Sequence, residues 1–252
     1  MKTEELLKNR MKELADKAYR QSVYCHTPFL NPAEQSLYYS IRKELSYISS
    51  RLDGGYEDAE RRMLIFGSEE EFGYREDSPI VCLKVEPLSV RFSEKLNHRD
   101  YLGAVLNLGI ERECIGDILV EDAAAYLFCI ESMAEYLCEQ ITKIRHTSVR
   151  ASRVDMTGFS VRPKVKPVEG FLSSIRLDAV VSLGFGMSRK ESMSFIKNKR
   201  VFINGRMIES GSRPVSEGDL ISVRGKGKIK FSEVRGQSKK GRISVLLHRY
   251  IG

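Results

Sequence analysis

Residues 174–208 read SIRLDAVVSLGFGMSRKESMSFIKNKRVFINGRMI. Apolar residues in the first part recur at helical spacing, and Gly184 is a candidate left-handed stop for that helix. Ser188 stands three residues before Glu191, the spacing of a capping box that opens a second helix. An Asn-Gly pair at 204–205 then joins two apolar runs, a strong signal for a β-hairpin. The stretch therefore predicts two short helices followed by a hairpin.

Basic side chains are concentrated in this stretch and in the tail that follows it. A helix N-terminus attracts phosphate because its N–H groups are free and its dipole end is positive. Arg189 and Lys190 add cations to the first turn of the second helix, where the dipole disfavours them, and a bound phosphate would compensate. RNA is therefore the predicted ligand, and a solvated basic face is the ordinary alternative. The predicted RNA-binding residues are Arg176, Ser188, Arg189, Lys190, Lys197, Lys199, Arg200, Asn204, Arg206, Lys226 and Lys228.

The charge of the chain is unevenly distributed. The whole sequence holds 41 Lys+Arg and 34 Asp+Glu. Residues 1–149 hold 19 of the bases and 26 of the acids, a formal charge of −7, whereas residues 150–252 hold 22 bases and 8 acids, a formal charge of +14. An acidic front and a strongly basic back predict a polyanionic partner for the back half.

The composition is that of an ordinary globular protein, with 42% hydrophobic and 30% charged residues. No apolar run approaches the roughly 20 residues that span a bilayer, and the N-terminus lacks an apolar signal core. The five cysteines are odd in number and no two are spaced Cys-x-x-Cys, so free thiols are predicted rather than disulfides or zinc ligands. We expect a cytoplasmic protein with no membrane association, metal or cofactor.

The N-terminal part is predicted to be mainly helical. A first helix is expected from residue 4 to about residue 20. A second begins at Pro32, where Asn31 and Glu34 form a capping box, and runs to about residue 52. A short strand is expected over residues 61–67.

The next part predicts the order β-α-β-β-α-β, which is the ferredoxin-like arrangement of RNA-recognition motifs. The helices are expected at 97–108, capped by Asn97, and at 132–142, capped by Ser132. The strands are expected at 79–86, 115–120, 124–130 and 146–152. Tyr126 and Phe128 share one strand face, where such motifs stack bases, but residues 71–149 carry 8 bases against 14 acids. The pattern predicts the fold and leaves its RNA-binding role open.

The C-terminal stretch resembles the RNA-binding domain named after small-subunit ribosomal protein four, here called the S-four domain. The family's motif pieces occur in order: Arg176-Leu177-Asp178, Gly184-Phe185, Ser188-Arg189, Ile196, Val201, Asn204-Gly205, and Gly218-Asp219 before a strand at Leu220–Val223. One departure is Lys199, where the family usually has glycine. The turn there must close through Asn198 or through a strained lysine.

Two upstream segments resemble the YlmH-type bacterial proteins, GGYEDAERR at 54–62 and LNHRDYLGAVLNLGIERECIGDI at 96–118. In that family an N-terminal region and a ferredoxin-like domain precede an S-four domain. The resemblance implies an RNA binder of the large ribosomal subunit, and we expect the protein to be non-catalytic and monomeric. It further implies ribosomal RNA and tRNA as partners, in ribosome-associated quality control of stalled nascent chains.

The predicted fold class is α+β, in four segments. They are a mainly helical region at 1–72, a ferredoxin-like domain at 73–155, a linker at 156–170, and an S-four domain with a β extension at 171–252. The basic tail pieces 226–230 and 239–242 are expected to form two strands around a loop.

Two other classes of function remain open. S-four domains also occur on pseudouridine synthases and tyrosyl-tRNA synthetases, so an RNA-modifying or tRNA-related enzyme would use the C-terminal domain to bind its substrate. No catalytic residues are predicted, because residues 1–155 are too short for either catalytic domain. A protein-interaction adaptor would instead dock its acidic front on a basic ribosomal protein.

Overall fold

The computed structural model describes residues 2–156 and 164–251, which divide into two compact units on either side of residues 157–163. We call residues 2–156 the first unit and residues 164–251 the second unit. Both combine helices with antiparallel sheets, which confirms the predicted α+β class.

The N-terminal part of the first unit is a small helix-and-sheet layer. Its elements are α1 (Lys2–Gln21), β1 (Cys25–His26), α2 (Pro32–Ile41), β2 (Ser50–Asp53), β3 (Met63–Phe66) and α3 (Glu69–Phe72). The three strands pair in the order β1-β3-β2. The capping box at the start of α2 is confirmed. Asn31 Oδ1 accepts from Glu34 N–H at 3.1 Å, and Asn31 N–H donates to Glu34 Oε2 at 2.7 Å.

The predicted end of α2 near residue 52 is wrong. The helix stops at Ile41, and the chain turns so that Leu45 and Ile48 are buried. Residues 50–53 then pair with β3 instead of continuing the helix. The strand partners lie ten or more residues further along the chain, so helical periodicity alone did not reveal the break.

The remainder of the first unit has the predicted ferredoxin-like order. Its elements are β4 (Ile80–Pro87), α4 (His98–Asn107), β5 (Ile115–Glu121), β6 (Ala124–Ile130), α5 (Glu131–Gln140), a short β7 (Lys143–Ile144) and β8 (Thr147–Arg153). The sheet order is β5-β6-β4-β8-β7. Asn97 caps α4 as predicted, with Asp100 completing the box. The predicted Ser132 cap of α5 is wrong, because β6 runs straight into the helix and Glu131 N–H bonds to Pro79 O at 2.9 Å.

The two faces of this sheet are both covered. Helices α4 and α5 pack on one face over a core that includes Leu83 and Leu127. The other face carries Cys82 and Phe128, which pack in one cluster with side chains from the N-terminal layer. Those side chains are Phe29, Met63 and Ile65. The N-terminal layer therefore occupies the face on which RNA-recognition motifs hold bases.

The five cysteines are free thiols, as predicted. Burial raises the pKa of Cys82 and of Cys129 to about 12, so these thiols stay protonated at neutral pH. Within residues 2–156 and 164–251, no cluster of His, Cys, Asp and Glu side chains is arranged to hold a metal ion. None of the helices in those ranges is long and apolar enough to cross a membrane.

The second unit places two helices on one face of a six-stranded sheet. Its elements are β9 (Val165–Leu172), α6 (Leu177–Phe185), α7 (Arg189–Lys197), β10 (Val201–Ile203), β11 (Arg206–Met207), β12 (Leu220–Val223), β13 (Gly227–Gln237) and β14 (Ile243–Tyr250). The sheet order is β11-β10-β12-β13-β14-β9. Val180 and Ile196 of the helices meet Ile229 and Leu247 of the sheet in a fully buried core.

The predicted linker differs from the structure in its second half. Residues 165–172 form β9, which pairs with β14 along its whole length. Pro167 is tolerated there because β9 is the edge strand and one side of it needs no ladder bond. Residues 157–163 of the predicted linker lie outside the described residues. The second unit therefore begins before residue 171, the start that the sequence predicted.

Two further predictions for this unit are corrected. Gly184 lies inside α6 rather than after it, and a Cβ there would come within 2.5 Å of Ile229 Cδ1. The left-handed stop is Gly186, with φ of 64°. In the tail, residues 227–230 belong to β13 as predicted, but residues 239–242 lie in the turn between β13 and β14.

Candidate nucleic-acid interface

Helix α7 and the turns beside it form a basic surface of the second unit. Ser188 caps α7, and its Oγ accepts from Glu191 N–H at 3.1 Å. The predicted return bond of a full capping box is not among the bonds of the described residues. The Glu191 carboxylate instead lies 3.4 Å from Lys226 Nζ. The Ser188 hydroxyl is therefore used in starting the helix.

Three cations project from α7 itself. Arg189, Lys190 and Lys197 are all exposed. Arg189 Nη2 lies 3.5 Å from Ser173 Oγ, at the limit of a hydrogen bond. Along the described parts of the chain, Lys190 and Lys197 have no ion-pair partner. These three side chains can therefore reach a phosphate without first breaking an internal salt bridge.

The turn after α7 closes through the strained lysine. Lys199 has φ of 58°, in the left-handed region, while Asn198 is the C-cap with φ of −82°. Lys199 N–H bonds to Ile196 O at 3.0 Å, and its Nζ lies 3.4 Å from the Glu209 carboxylate. Both charged ends are exposed, so this pair contributes little to stability. Lys199 remains accessible at the end of the helix.

Arg200 follows directly and lies against an aromatic ring. Its guanidinium carbon is 4.8 Å from the centre of the Phe195 ring, and Lys226 Nζ is 5.5 Å from the same centre. Arg200 Nη2 also donates to Arg224 O at 2.8 Å. The sequence did not single out Phe195 or Arg224. The available signal was an aromatic residue placed between the cations of a basic helix.

Arg176 and Asn204 are largely occupied by structural bonds. Arg176 donates through Nε and Nη2 to the two carboxylate oxygens of Asp178, at 3.1 and 3.3 Å, and Asp178 is buried. Asn204 Oδ1 accepts from Leu220 N–H at 2.9 Å, while its amide donates to Asp219 at 2.7 Å. The two motif residues thus hold the helix start and the hairpin in place.

Lys228 lies away from the α7 surface. It is only 9% exposed, and its Nζ is 4.8 Å from the centre of the Tyr250 ring. Its neighbour Ile229 points into the core beneath the helices, so Lys228 points to the opposite face of the sheet. Arg206 is exposed in β11, opposite Ile203. The structure therefore brings together Arg189, Lys190, Lys197, Lys199, Arg200 and Lys226, but not Lys228.

The aromatic pair in the first unit is not available for base stacking. Phe128 is fully buried, and its ring lies 5.1 Å from that of Tyr56. Tyr126 is partly buried and packs against the same cluster. An RNA contact through this sheet face would require the N-terminal layer to leave it.

The segment at 54–62 has a structural role in the first unit. The Asp117 carboxylate in β5 accepts hydrogen bonds from three residues of this segment. This group accepts from Tyr56 Oη at 2.6 Å, from Glu60 N–H at 2.7 Å and from Arg61 N–H at 3.1 Å. Asp117 therefore joins the N-terminal layer to the ferredoxin-like sheet.

Two half-buried arginines surround this carboxylate. Arg61 donates to Phe29 O at 2.7 Å and to Ile115 O at 3.0 Å. Burial lowers the pKa of Arg61, and burial together with the Arg61 charge lowers that of Arg112 to about 10. Both arginines remain charged at neutral pH, so Asp117 supplies a negative charge that they need.

Two family models match the chain. One is described as "Putative RNA-binding domain in YlmH" and matches residues 76–158, which include the segment at 96–118. The other is described as "S4 domain", the S-four domain of the sequence analysis, and matches residues 175–221. RNA-binding domain models thus cover parts of both units.

Some curated relatives match nearly the whole chain, and others match only a short part of it. "Ribosome-associated protein quality control protein P2" of Bacillus subtilis (strain 168) is 28% identical over 242 residues, covering 94% of this chain and 91% of that protein. "Small ribosomal subunit protein uS4" of Teredinibacter turnerae is 46% identical over 54 residues, which are 21% of this chain and 26% of that protein. Among solved structures, "Cell division protein ylmH from Streptococcus pneumoniae" is 20% identical, with a TM-score of 0.49, over 63% of this chain and 95% of that chain.

Proposed function

We propose that this chain, which matches the RNA-binding domain model of YlmH and the S-four domain model, binds ribosomal RNA and tRNA on the large ribosomal subunit without catalysing a reaction. The observation that carries the proposal is the α7 surface. This surface consists of Arg189, Lys190, Lys197, Lys199, Arg200 and Lys226.

Charge favours a nucleic-acid partner for this surface. The second unit holds 19 Lys+Arg against 7 Asp+Glu between residues 164 and 251, a formal charge of +12. Six of the cations are exposed on α7 and its adjoining turns, and two of them, Arg189 and Lys190, lie in the first turn of the helix. RNA phosphates are repeated negative charges that such a surface attracts, with release of counterions.

The ribosome is the proposed setting because of the Bacillus subtilis relative, which is named for ribosome-associated protein quality control. On this proposal the chain acts in the cytoplasm, as a monomer, on large subunits that retain peptidyl-tRNA. The first unit, with its acidic surface and covered sheet face, is expected to contact basic ribosomal proteins rather than RNA.

We expect the full-length protein to sediment with large ribosomal subunits in a sucrose gradient, and more of it to do so when the subunits retain peptidyl-tRNA. The association should weaken steeply with salt. Each phosphate contact adds about 0.7–0.9 to the steepness with which the logarithm of the binding constant falls against the logarithm of the salt concentration, here called the log–log salt slope. The measurement is the fraction of protein in the subunit peak at low and moderate salt. Protein that stays in subunit-free fractions at low salt would contradict the ribosomal assignment.

A further inference from the structure

The Arg200 side chain is held by an aromatic ring and by a backbone carbonyl. Its guanidinium carbon lies 4.8 Å from the centre of the Phe195 ring, a distance at which a cation is attracted to the ring face. Its Nη2 donates to Arg224 O at 2.8 Å. The guanidinium is therefore fixed on one side by a ring and at one edge by a carbonyl.

A glycine next to this carbonyl leaves room for the guanidinium. Gly225 has φ of +85°, and a Cβ at this position would lie 2.8 Å from Arg200 Nη2. The backbone ties the same two turns together, since Arg200 N–H bonds to Phe195 O at 3.0 Å and Arg224 N–H bonds to Arg200 O at 2.8 Å. The turn at 224–227 therefore holds one edge of the guanidinium, and Gly225 has no side chain that would displace it.

The other cations of the α7 surface are held less firmly. Lys190 and Lys197 are exposed, with no ion-pair partner in the ranges that the structure describes. Lys199 meets only an exposed carboxylate. Each of these lysines loses rotamer freedom when it contacts a ligand, whereas the ring and carbonyl contacts of Arg200 already restrict its rotamers. Fixed and exposed cations make the larger contribution to binding per contact.

Arg200 has five N–H donors, and the bond to Arg224 O uses one of them. We propose that the remaining donors of Arg200 bind a backbone phosphate of RNA as a preorganised fork, and that Phe195 and Gly225 are positioning residues for this contact. This inference rests on the proposed function and names the anchor residue of its surface. Because a guanidinium fork matches phosphate geometry and an ammonium does not, lysine is not an equivalent replacement here.

The test measures binding of the full-length protein, labelled at its N-terminus, to purified large ribosomal subunits across a range of salt concentrations. Phe195→Leu should weaken binding by about tenfold, since one unfixed side chain costs about that much on binding. The salt slope should stay unchanged because no charge is removed. Phe195→Tyr is the conservative variant at the same position. It keeps the ring, so it should bind within about twofold of the original protein.

Arg200→Lys gives a second, independent readout at an exposed position where folding is not at risk. It should also weaken binding by about tenfold with an unchanged salt slope, because the charge remains while the fork is lost. Arg213→Lys is the matched control, because Arg213 is exposed in the same unit but lies outside the α7 surface, and it should change binding by less than about twofold. Melting temperatures should stay the same for Arg200→Lys and Arg213→Lys.

The outcomes separate the two proposals. If Phe195→Leu and Arg200→Lys both bind like the original protein, the anchor role of Arg200 is wrong, while steep salt dependence still supports RNA binding by the surface. If Phe195→Tyr fails to restore binding, Phe195 does not position Arg200 through its ring. If the original protein does not bind the subunits at all, the proposed function and the inference fall together.

Discussion

Reversing three charges on α7, with Arg189→Glu, Lys190→Glu and Lys197→Glu combined, is expected to weaken binding to large ribosomal subunits on the order of 100-fold near physiological salt. The log–log salt slope should fall by about 2–3 if each of the three side chains contacts one phosphate. All three residues are exposed, so the change removes no core packing.

Folding should survive this triple reversal. Arg189 and Lys190 occupy the first turn of α7, where acidic residues interact favourably with the helix dipole. Lys197 lies in the last turn, so its replacement by Glu costs only a few tenths of a kcal/mol. The measurement is titration of labelled protein with subunits, beside a thermal melt that should shift little.

The control carries the same change in net charge on the first unit. Lys17, Arg20 and Lys43 are exposed there, and their combined reversal to Glu should leave subunit binding within about threefold. Equal losses in both triple variants would mean that overall charge, rather than the α7 surface, holds the RNA.

The second large effect concerns Asp117. We expect Asp117→Ala to lower the free energy of unfolding of the first unit by about 3 kcal/mol, because three donors lose their shared acceptor. The half-buried Arg61 and Arg112 would also lose the carboxylate between them. Asp117→Asn keeps one acceptor oxygen and the side-chain volume, so it should cost less.

Hydrogen exchange measured by mass spectrometry reports the two units separately, which a single melting curve does not. In Asp117→Ala, protection should fall over the segment at 54–62 and in the strands of the N-terminal layer. Protection in the second unit and binding to subunits should stay unchanged. Equal loss of protection in both units would contradict the role given to Asp117.

Local signals in the sequence predicted the starts of α2 and α4 and the β10–β11 turn, but not the start of α5 or the end of α6. The capping boxes at Asn31 and Asn97 begin α2 and α4, and the Asn-Gly pair at 204–205 forms the β10–β11 turn, because each depends on residues next to one another in the chain. The end of α2 and the strand β9 were missed, because strand partners distant in sequence determine both.

The sequence also predicted only part of the candidate site. Residue type and helical position identified the exposed cations Arg189, Lys190 and Lys197. Density of charge could not reveal that Arg176 pairs with a buried carboxylate, nor that Lys228 faces the far side of the sheet. Those facts depend on tertiary packing, so a basic motif overstates the number of side chains that remain available.

The most direct test of the central claim is ultraviolet crosslinking of the unmodified protein to large ribosomal subunits, with the attached peptides identified by mass spectrometry. We expect RNA-linked peptides from residues 189–200 and 224–226, which contain the α7 surface and the Phe195 ring. We expect none from β6 at 124–130, whose aromatic face is covered by the N-terminal layer. Crosslinks confined to the first unit would contradict the assignment of RNA binding to the S-four domain.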